Sequence, residues 1–464
     1  MDKKSKDRRT HCLLLPFPIQ SHINPILQFS NLLQQQGVKV TLVSTISYSK
    51  NLHKVPSNIS FETISDGVDK VGVDEAENYK AYSNIFKKVG TETLCDLIEK
   101  LDKQGNHVDC IIYDPFIPWV LEVAKRFEIV GAAYFTQNMN VNSIYYHVYK
   151  GKLQVPMIED KISLHAMPKL QLEDLPSFFL TYEEDSSLID LLVDQFKNIE
   201  QADWILCNTF YELDKEIADW SIKIWPKFRT VGPNIPSMFL NKRYKDEDYC
   251  VSQFKTEDCI EWLNDKPNGS VVYVSFGSLA SIDEDQMKEI AYALKDSGNY
   301  FLWVVRASED IKLPKDFEKK TNKGLVVKWC SQLKVLAHES IGCFITHCGW
   351  NSTLEALCLG VPLIAMPQFS DQTTNAKFIV DVWKIGLRAK FDEKKIVKQE
   401  VLNDCIREIL ESERGKEIKN NAMQLKNLAV KAMDEGGSSH KNITEFLNDL
   451  FPLQPTCQEL QIIS

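Results

Sequence analysis

Short apolar runs alternate with longer amphipathic stretches along most of this chain, and the pattern comes twice. Residues 10–17 form an apolar run, followed by a polar turn and helical spacing of apolar positions over 23–36. Residues 270–276 form a second such run, followed by Gly277-Ser278 and a helical pattern over 284–295. Further short apolar runs lie at 38–44, 110–113 and 131–136 in the first half, and at 301–306, 324–329 and 343–346 in the second. Runs of this kind between helical stretches predict buried parallel strands joined by helices. At 464 residues the chain is too long for one typical core. The pattern therefore predicts an α/β protein of two facing Rossmann-like domains with a cleft between them. The expected boundaries are 1–240 for the first domain, 241–256 for a linker and 257–440 for the second domain. Residues 441–464 follow as a last helix and a tail. Pro233, Pro236 and the charged run 242–248 mark the linker.

Polar residues cluster where the second-half strands end. Trp329 closes the run that begins at Gly324, at the edge where open α/β sheets bind ligands. The run 343–346 ends in His347-Cys348-Gly349, and a helical pattern covers 350–359. A strand, a glycine turn and a helix start make a site for phosphate, because unpaired N–H groups and the positive end of the dipole meet there. His347, Asn351 and Ser352 add donors, and Glu355 shares the face of Asn351 and Ser352. A carboxylate there can accept from two ribose hydroxyls, and Trp329 can stack on a flat base. Taken singly, these residues read equally well as helix caps, a surface carboxylate and a core aromatic.

The whole segment 329–372, with W-C-S-Q at its start, T-H-C-G-W-N-S-T-L-E in the middle and F-S-D-Q at its end, resembles the donor-binding signature of the plant family-1 UDP-sugar glycosyltransferases. The resemblance implies a GT-B type fold whose last helix packs back on the first domain. It implies that Trp329 stacks on uracil, Gln332 contacts the uridine and Glu355 holds the ribose. His347, Trp350, Asn351 and Ser352 fall in the stretch that holds the diphosphate. Asp371 and Gln372 take the sugar hydroxyls, with a final glutamine favouring glucose. Cys330-Ser331 stands where many members have Ala-Pro.

The stretch Pro16-Phe17-Pro18-Ile19-Gln20-Ser21-His22-Ile23-Asn24-Pro25 puts His22 just before a helical pattern, and Asp114 closes the run 110–113. A histidine at the ligand edge can take a proton near neutral pH, and an aspartate on its far nitrogen fixes the tautomer. The pair resembles the family's catalytic dyad. Ser21 replaces a usual glycine, and Pro115 a common serine. Ser278 and Thr136, at strand ends, are expected beside the diphosphate and the sugar. Phe17, Phe116, Trp119, Met139, Phe178 and Phe369 are candidate walls for an acceptor. The implied reaction is inverting transfer of glucose from UDP-glucose to a hydroxyl or carboxyl of a small apolar metabolite such as a terpenoid, phenolic or acid.

Composition narrows the alternatives. The net charge of −10 argues against nucleic acid or an anionic membrane as partner. The apolar run 12–15 after the basic start is too short for a secretory core or a membrane span. Twelve scattered cysteines without a C-x-x-C pair fit buried thiols in a reducing cytosol, so a cytoplasmic protein is expected. A monomer is expected as well. The sequons at Asn58 and Asn268 should then stay unmodified. No cofactor is expected. Asp283-Glu284-Asp285 and Asp246-Glu247-Asp248 match the metal-binding D-x-D pattern, but the first reads as a helix start and the second as linker, so metal independence is expected. A nicotinamide oxidoreductase is disfavoured, since 16–21 contains no glycine. Another UDP-sugar donor, or a sugar-nucleotide binding protein without catalysis, remains as an alternative.

Overall fold

The computed structural model describes residues 9–52, 59–70, 72, 78–157, 161–182, 186–240, 253–315, 317 and 321–451. The linker run 242–248, the tail from 453 and Asn58 lie outside the described residues.

Two parallel sheets carry the chain. The first has seven strands, in the order Ser60–Ile64, Lys39–Thr45, His11–Leu15, Cys110–Tyr113, Val130–Phe135, Trp204–Cys207 and Phe228–Thr230. The second has six, in the order Gly324–Val327, Tyr300–Val304, Val271–Ser275, Ile341–Thr346, Leu363–Ala365 and Gly386–Arg388. Every pairing within these two sheets is parallel. Central strands such as His11–Leu15, Cys110–Tyr113 and Val271–Ser275 are buried along their whole length, because helices cover both faces.

The strand order fixes where a ligand can sit. In the first sheet the chain turns outward in one direction from His11–Leu15 and in the other from Cys110–Tyr113, which lie side by side with Leu15 opposite Tyr113. The loops leaving them part and open a crevice. The second sheet does the same between Val271–Ser275 and Ile341–Thr346, with Ser275 opposite Thr346. Both crevices lie at carboxyl ends of strands, and they are where His22, Asp114, Ser278 and His347 follow in sequence.

Some elements differ from the pattern-based expectation. The first helix is Gln20–Gln35, so His22 sits within its first turn rather than before it. Gln20, Ser21 and His22 are polar because that turn faces the crevice, which hid the start from an apolar count. Strand Gly324–Val327 is the edge of its sheet, and only Val327 is fully buried. The last helix, Ser438–Leu450, lies against the outer strands of the first sheet. Phe446 is fully buried there, edge-on to Trp204 at 5.5 Å and beside Phe29 at 6.4 Å. Asn442 Nδ2 donates to the Thr230 carbonyl at 2.8 Å, and Arg229 pairs with Glu445 at 2.6 Å. Among the described residues no helix is long and apolar enough to cross a membrane. Every described cysteine is a free thiol, buried except for Cys405.

Candidate active site

One cavity of about 350 Å³ runs between the two sheets. Its lining includes His22, Thr136, Ser278, Trp329, Gln332, His347, Trp350, Asn351, Ser352, Glu355, Asp371 and Gln372. These are all the sequence-derived site residues except Asp114, which lies behind His22 and is 1% exposed.

His22 Nδ1 and Asp114 Oδ2 are 2.5 Å apart, both buried, and Thr136 Oγ1 is 3.1 Å from the same nitrogen. Asp114 is itself held, its Oδ1 accepting from the Phe116 N–H at 3.0 Å. A carboxylate on Nδ1 fixes the proton there and leaves Nε2 with the lone pair. Since Nδ1 is occupied, Nε2 is the nitrogen available to the cavity. Phe116 and Phe17 pack on the ring at 4.8 and 5.9 Å.

Facing this pair is the start of helix Trp350–Leu359. Its N-cap is Gly349, and no side chain caps it. Gly349, Trp350, Asn351 and Ser352 all border the cavity, so the positive end of the helix opens into it. The His347 ring lies between Gly277 and Gly349. A Cβ at Gly277 would meet its Nε2 at 2.8 Å, and one at Gly349 would meet it at 2.5 Å. Gly277 also has φ +72°, where a side chain is strained. Burial, reinforced by the charge of Arg306, pushes His347 down to about 4. It is therefore neutral at physiological pH and acts as a hydrogen-bonding group. Arg306 bonds the carbonyls of Ser278 and Ala280 and so shapes the loop that carries Ser278.

The residues expected on the uridine side form one network. Gln332 Nε2 donates to Glu355 Oε2 at 2.8 Å and to Ser352 Oγ at 2.9 Å. Tyr273 donates to Gln332 Oε1 at 3.4 Å. Burial pushes the Glu355 carboxyl up to about 7, against the lowering effect of the Gln332 amide. Phe254 stacks on Trp329 at 4.2 Å and does not itself line the cavity. On the side expected to meet the sugar, Gln372 Oε1 accepts from the N–H groups of Gln368 and Phe369 at 2.9 and 3.1 Å, which leaves its amide hydrogens for a ligand. Burial pushes Asp371 up to about 6, while the Asn375 amide on its Oδ2 and the nearby His22 pull the other way.

Two residues at the start of helix Trp350–Leu359 also reach the other half. Trp350 Nε1 donates to the Asn208 carbonyl at 3.1 Å. Asn351 Nδ2 donates to the Ser21 carbonyl at 2.6 Å. That carbonyl is free because its helical partner would be the N–H of residue 25, and Pro25 has none.

The apolar end is lined by Phe17, Phe116, Phe178 and Phe369, with Leu188 and Leu191 from helix Ser187–Asp194. Ser177 and Ser370 bond each other across the halves, which brings Phe178 and Phe369 to the same wall. The other two candidate walls belong to the core. Trp119 packs edge-on against Phe86 at 5.3 Å, and Met139 is 3% exposed without reaching the cavity. Asp283-Glu284-Asp285 begins helix Glu284–Asp296, and Lys288 pairs with Glu284 and Asp285. The second acidic triplet lies outside the described residues. Among the described residues no three His, Cys, Asp or Glu side chains cluster as a metal site.

Comparison with known proteins agrees with this geometry. Residues 12–434 match the family model described as UDP-glucoronosyl and UDP-glucosyl transferase. The chain belongs to this family. Among its relatives is a mogroside I-E synthase of Siraitia grosvenorii, 47% identical over 94% of this chain and 98% of that one. Another is a flavonol 7-O-beta-glucosyltransferase of Arabidopsis thaliana, 43% identical over 95% of this chain and 98% of that one. The crystal structure of Os79 from O. sativa in complex with UDP superposes with a TM-score of 0.88 at 34% identity, covering 95% of this chain and all of that one. The transferase thus has the GT-B fold and is a UDP-glycosyltransferase of the plant family 1.

Spacing and pattern do not single out Arg306, Phe254, Asn138 or Asn375, and mark Gly277 only as a turn. Each supports a lining group from behind or beside it, and that depends on distances no spacing rule encodes. Gly277→Ala is expected to weaken UDP binding roughly tenfold or more, since the methyl displaces the His347 ring and strains the turn. Calorimetric titration with UDP checks this; wild-type affinity would show that the ring position does not matter.

Proposed function

We propose that this transferase moves glucose from UDP-glucose to a hydroxyl or carboxyl of a small apolar plant metabolite, a terpenoid, phenolic or acid. The observation that carries the reading is His22, backed by Asp114, across one cavity from the uncapped start of helix Trp350–Leu359. In this reading uracil stacks on Trp329, Gln332 contacts the uridine and Glu355 takes the ribose hydroxyls. The diphosphate meets the helix start with His347, Asn351, Ser352 and Ser278. Asp371, Gln372 and Thr136 meet the sugar. Nε2 of His22 removes the acceptor proton, and the oxygen attacks the anomeric carbon. The bond to UDP breaks on the opposite face, so the configuration inverts. Charge on the leaving diphosphate falls on the helix N-terminus and its neighbouring donors. A carboxylate acceptor, already ionised, needs less of His22. Two domains divided near 241–256, a monomeric cytoplasmic protein and turnover without a metal complete the proposal.

His22→Ala is expected to lower kcat about 100-fold or more for a hydroxyl acceptor, and less for a carboxylate. Equal small losses for both, measured by product mass spectrometry, would remove His22 from the chemistry. Glucose as donor rests on Gln372 and on the glucosyltransferase relative. A panel of UDP-sugars should give the highest kcat/KM with UDP-glucose; a xylose, galactose or glucuronate winner would overturn the donor.

Glu355 gives a pH test. Its folded pKa of about 7 lies above the ordinary carboxylate value, so ionising it costs the ligand-free protein stability as pH rises through that value. Ribose hydroxyls donate to the ionised form, so binding favours loss of the proton. UDP-glucose affinity should therefore fall by up to about tenfold per pH unit below about 7. In Glu355→Gln that part of the slope should vanish, leaving the part from Asp371, which burial pushes up to about 6. An unchanged slope in the variant would rule out the ribose contact.

A further inference from the structure

Two fully buried amides join the sugar side of the cavity to the first half of the chain. Asn375 Nδ2 donates to Asp371 Oδ2 at 2.8 Å and to the Cys348 carbonyl at 2.9 Å. Its Oδ1 accepts from Asn138 Nδ2 at 3.0 Å. Both asparagines have no solvent exposure. Turned over, the Asn375 amide would set its oxygen against a carbonyl and a carboxylate, acceptors facing acceptors. Its orientation is therefore single-valued.

Asn138 is fixed in the same way. Its Oδ1 caps helix Met139–Tyr149, accepting from the Asn140 N–H at 2.9 Å, and also accepts from Asn140 Nδ2 at 3.2 Å. Only its donors are left to point across to Asn375. A helix start in the first half thus dictates which atom of Asn375 meets Asp371. Asn138 also lies two residues beyond Thr136, which touches His22.

Resting on the reading that Asp371 meets the sugar, we propose that Asn375 is a positioning residue for donor-sugar recognition. It orients the Asp371 carboxylate by a donor whose direction Asn138 sets from the opposite half. Donor recognition is thereby completed only when the two halves are seated together.

The test compares affinities for UDP and UDP-glucose in Asp371→Ala, Asn375→Ala, Asn375→Asp and Asn138→Ala. Asp371→Ala should change the preference between the two ligands. Asn375→Ala should lose roughly tenfold in UDP-glucose affinity, with UDP affinity within about twofold of wild type, which also reports correct folding. Asn375→Asp has the same shape but puts an acceptor against Asp371, so it should lose more than Asn375→Ala. Asn138→Ala should act in the same direction and add little to Asn375→Ala. If Asn375→Asp is milder than Asn375→Ala, the residue only fills space and the proposal falls. It falls too if Asn375→Ala behaves as wild type while Asp371→Ala does not. Should Asp371→Ala itself leave the preference unchanged, the sugar contact is what is wrong. If the Asn375 variants lose UDP binding altogether, Asn138→Ala decides alone, and wild-type preference there overturns the coupling.

Discussion

A helix that begins in a buried crevice without a capping side chain leaves backbone N–H groups needing a partner, and much of this protein is arranged around that need. Helix Trp350–Leu359 starts at Gly349 with no side-chain cap, at the point where the second sheet changes direction. A carboxylate or hydroxyl cap there would satisfy the donors and remove the site. Glycine supplies no side chain, and with Gly277 it leaves room for the His347 ring between them. An anionic ligand becomes the natural cap. The donors around it are neutral: His347 is held unprotonated by burial and by Arg306, and no Lys or Arg lines the cavity among the described residues.

The elements that form this side of the cavity also make the seam between the halves. Trp350 and Asn351 bond the carbonyls of Asn208 and Ser21. Thr373 and Thr374 bond the carbonyls of Leu175 and Asp174, and Trp383 Nε1 donates to Asp214. A shift of one half against the other would therefore disturb the helix starts at 350 and 372. The Ser21 contact is instructive. Pro25 removes one helical bond, and the carbonyl it frees accepts from the opposite half. An irregularity in helix Gln20–Gln35 has become a joint.

Much of this was legible in the chain. Strand Cys110–Tyr113 and helix Trp350–Leu359 have the bounds read from the chain, the strand because it is buried along its whole length and the helix because Gly349 and Gly360 flank it. The shortest strands were not: Leu363–Ala365 and, at the edge of its sheet, Gly386–Arg388 are three residues each, too short to carry a period. The start of helix Gln20–Gln35 was misread since its first turn faces the cavity and carries polar side chains. Phe17 and Trp119 show the limit for aromatics. Both are 3% exposed, yet one borders the cavity and the other packs on Phe86. Burial preference alone does not separate a pocket wall from a core, since both exclude water.

The polar residues behind the lining were illegible for a different reason. Asparagine in sequence reads as a cap or a turn, and Asn138 is indeed a cap. What gives it a second consequence is that a side-chain amide has two distinct ends. Once a cap fixes the oxygen, the nitrogen must point the other way, and the next amide must answer with its oxygen. Such a chain of amides transmits direction over several ångströms with no moving part. Apolar packing cannot do this, as it has no donor and acceptor ends. That accounts for two asparagines standing fully buried in a seam where leucine would cost no desolvation, and it ties the orientation of a carboxylate in one half to the start of a helix in the other.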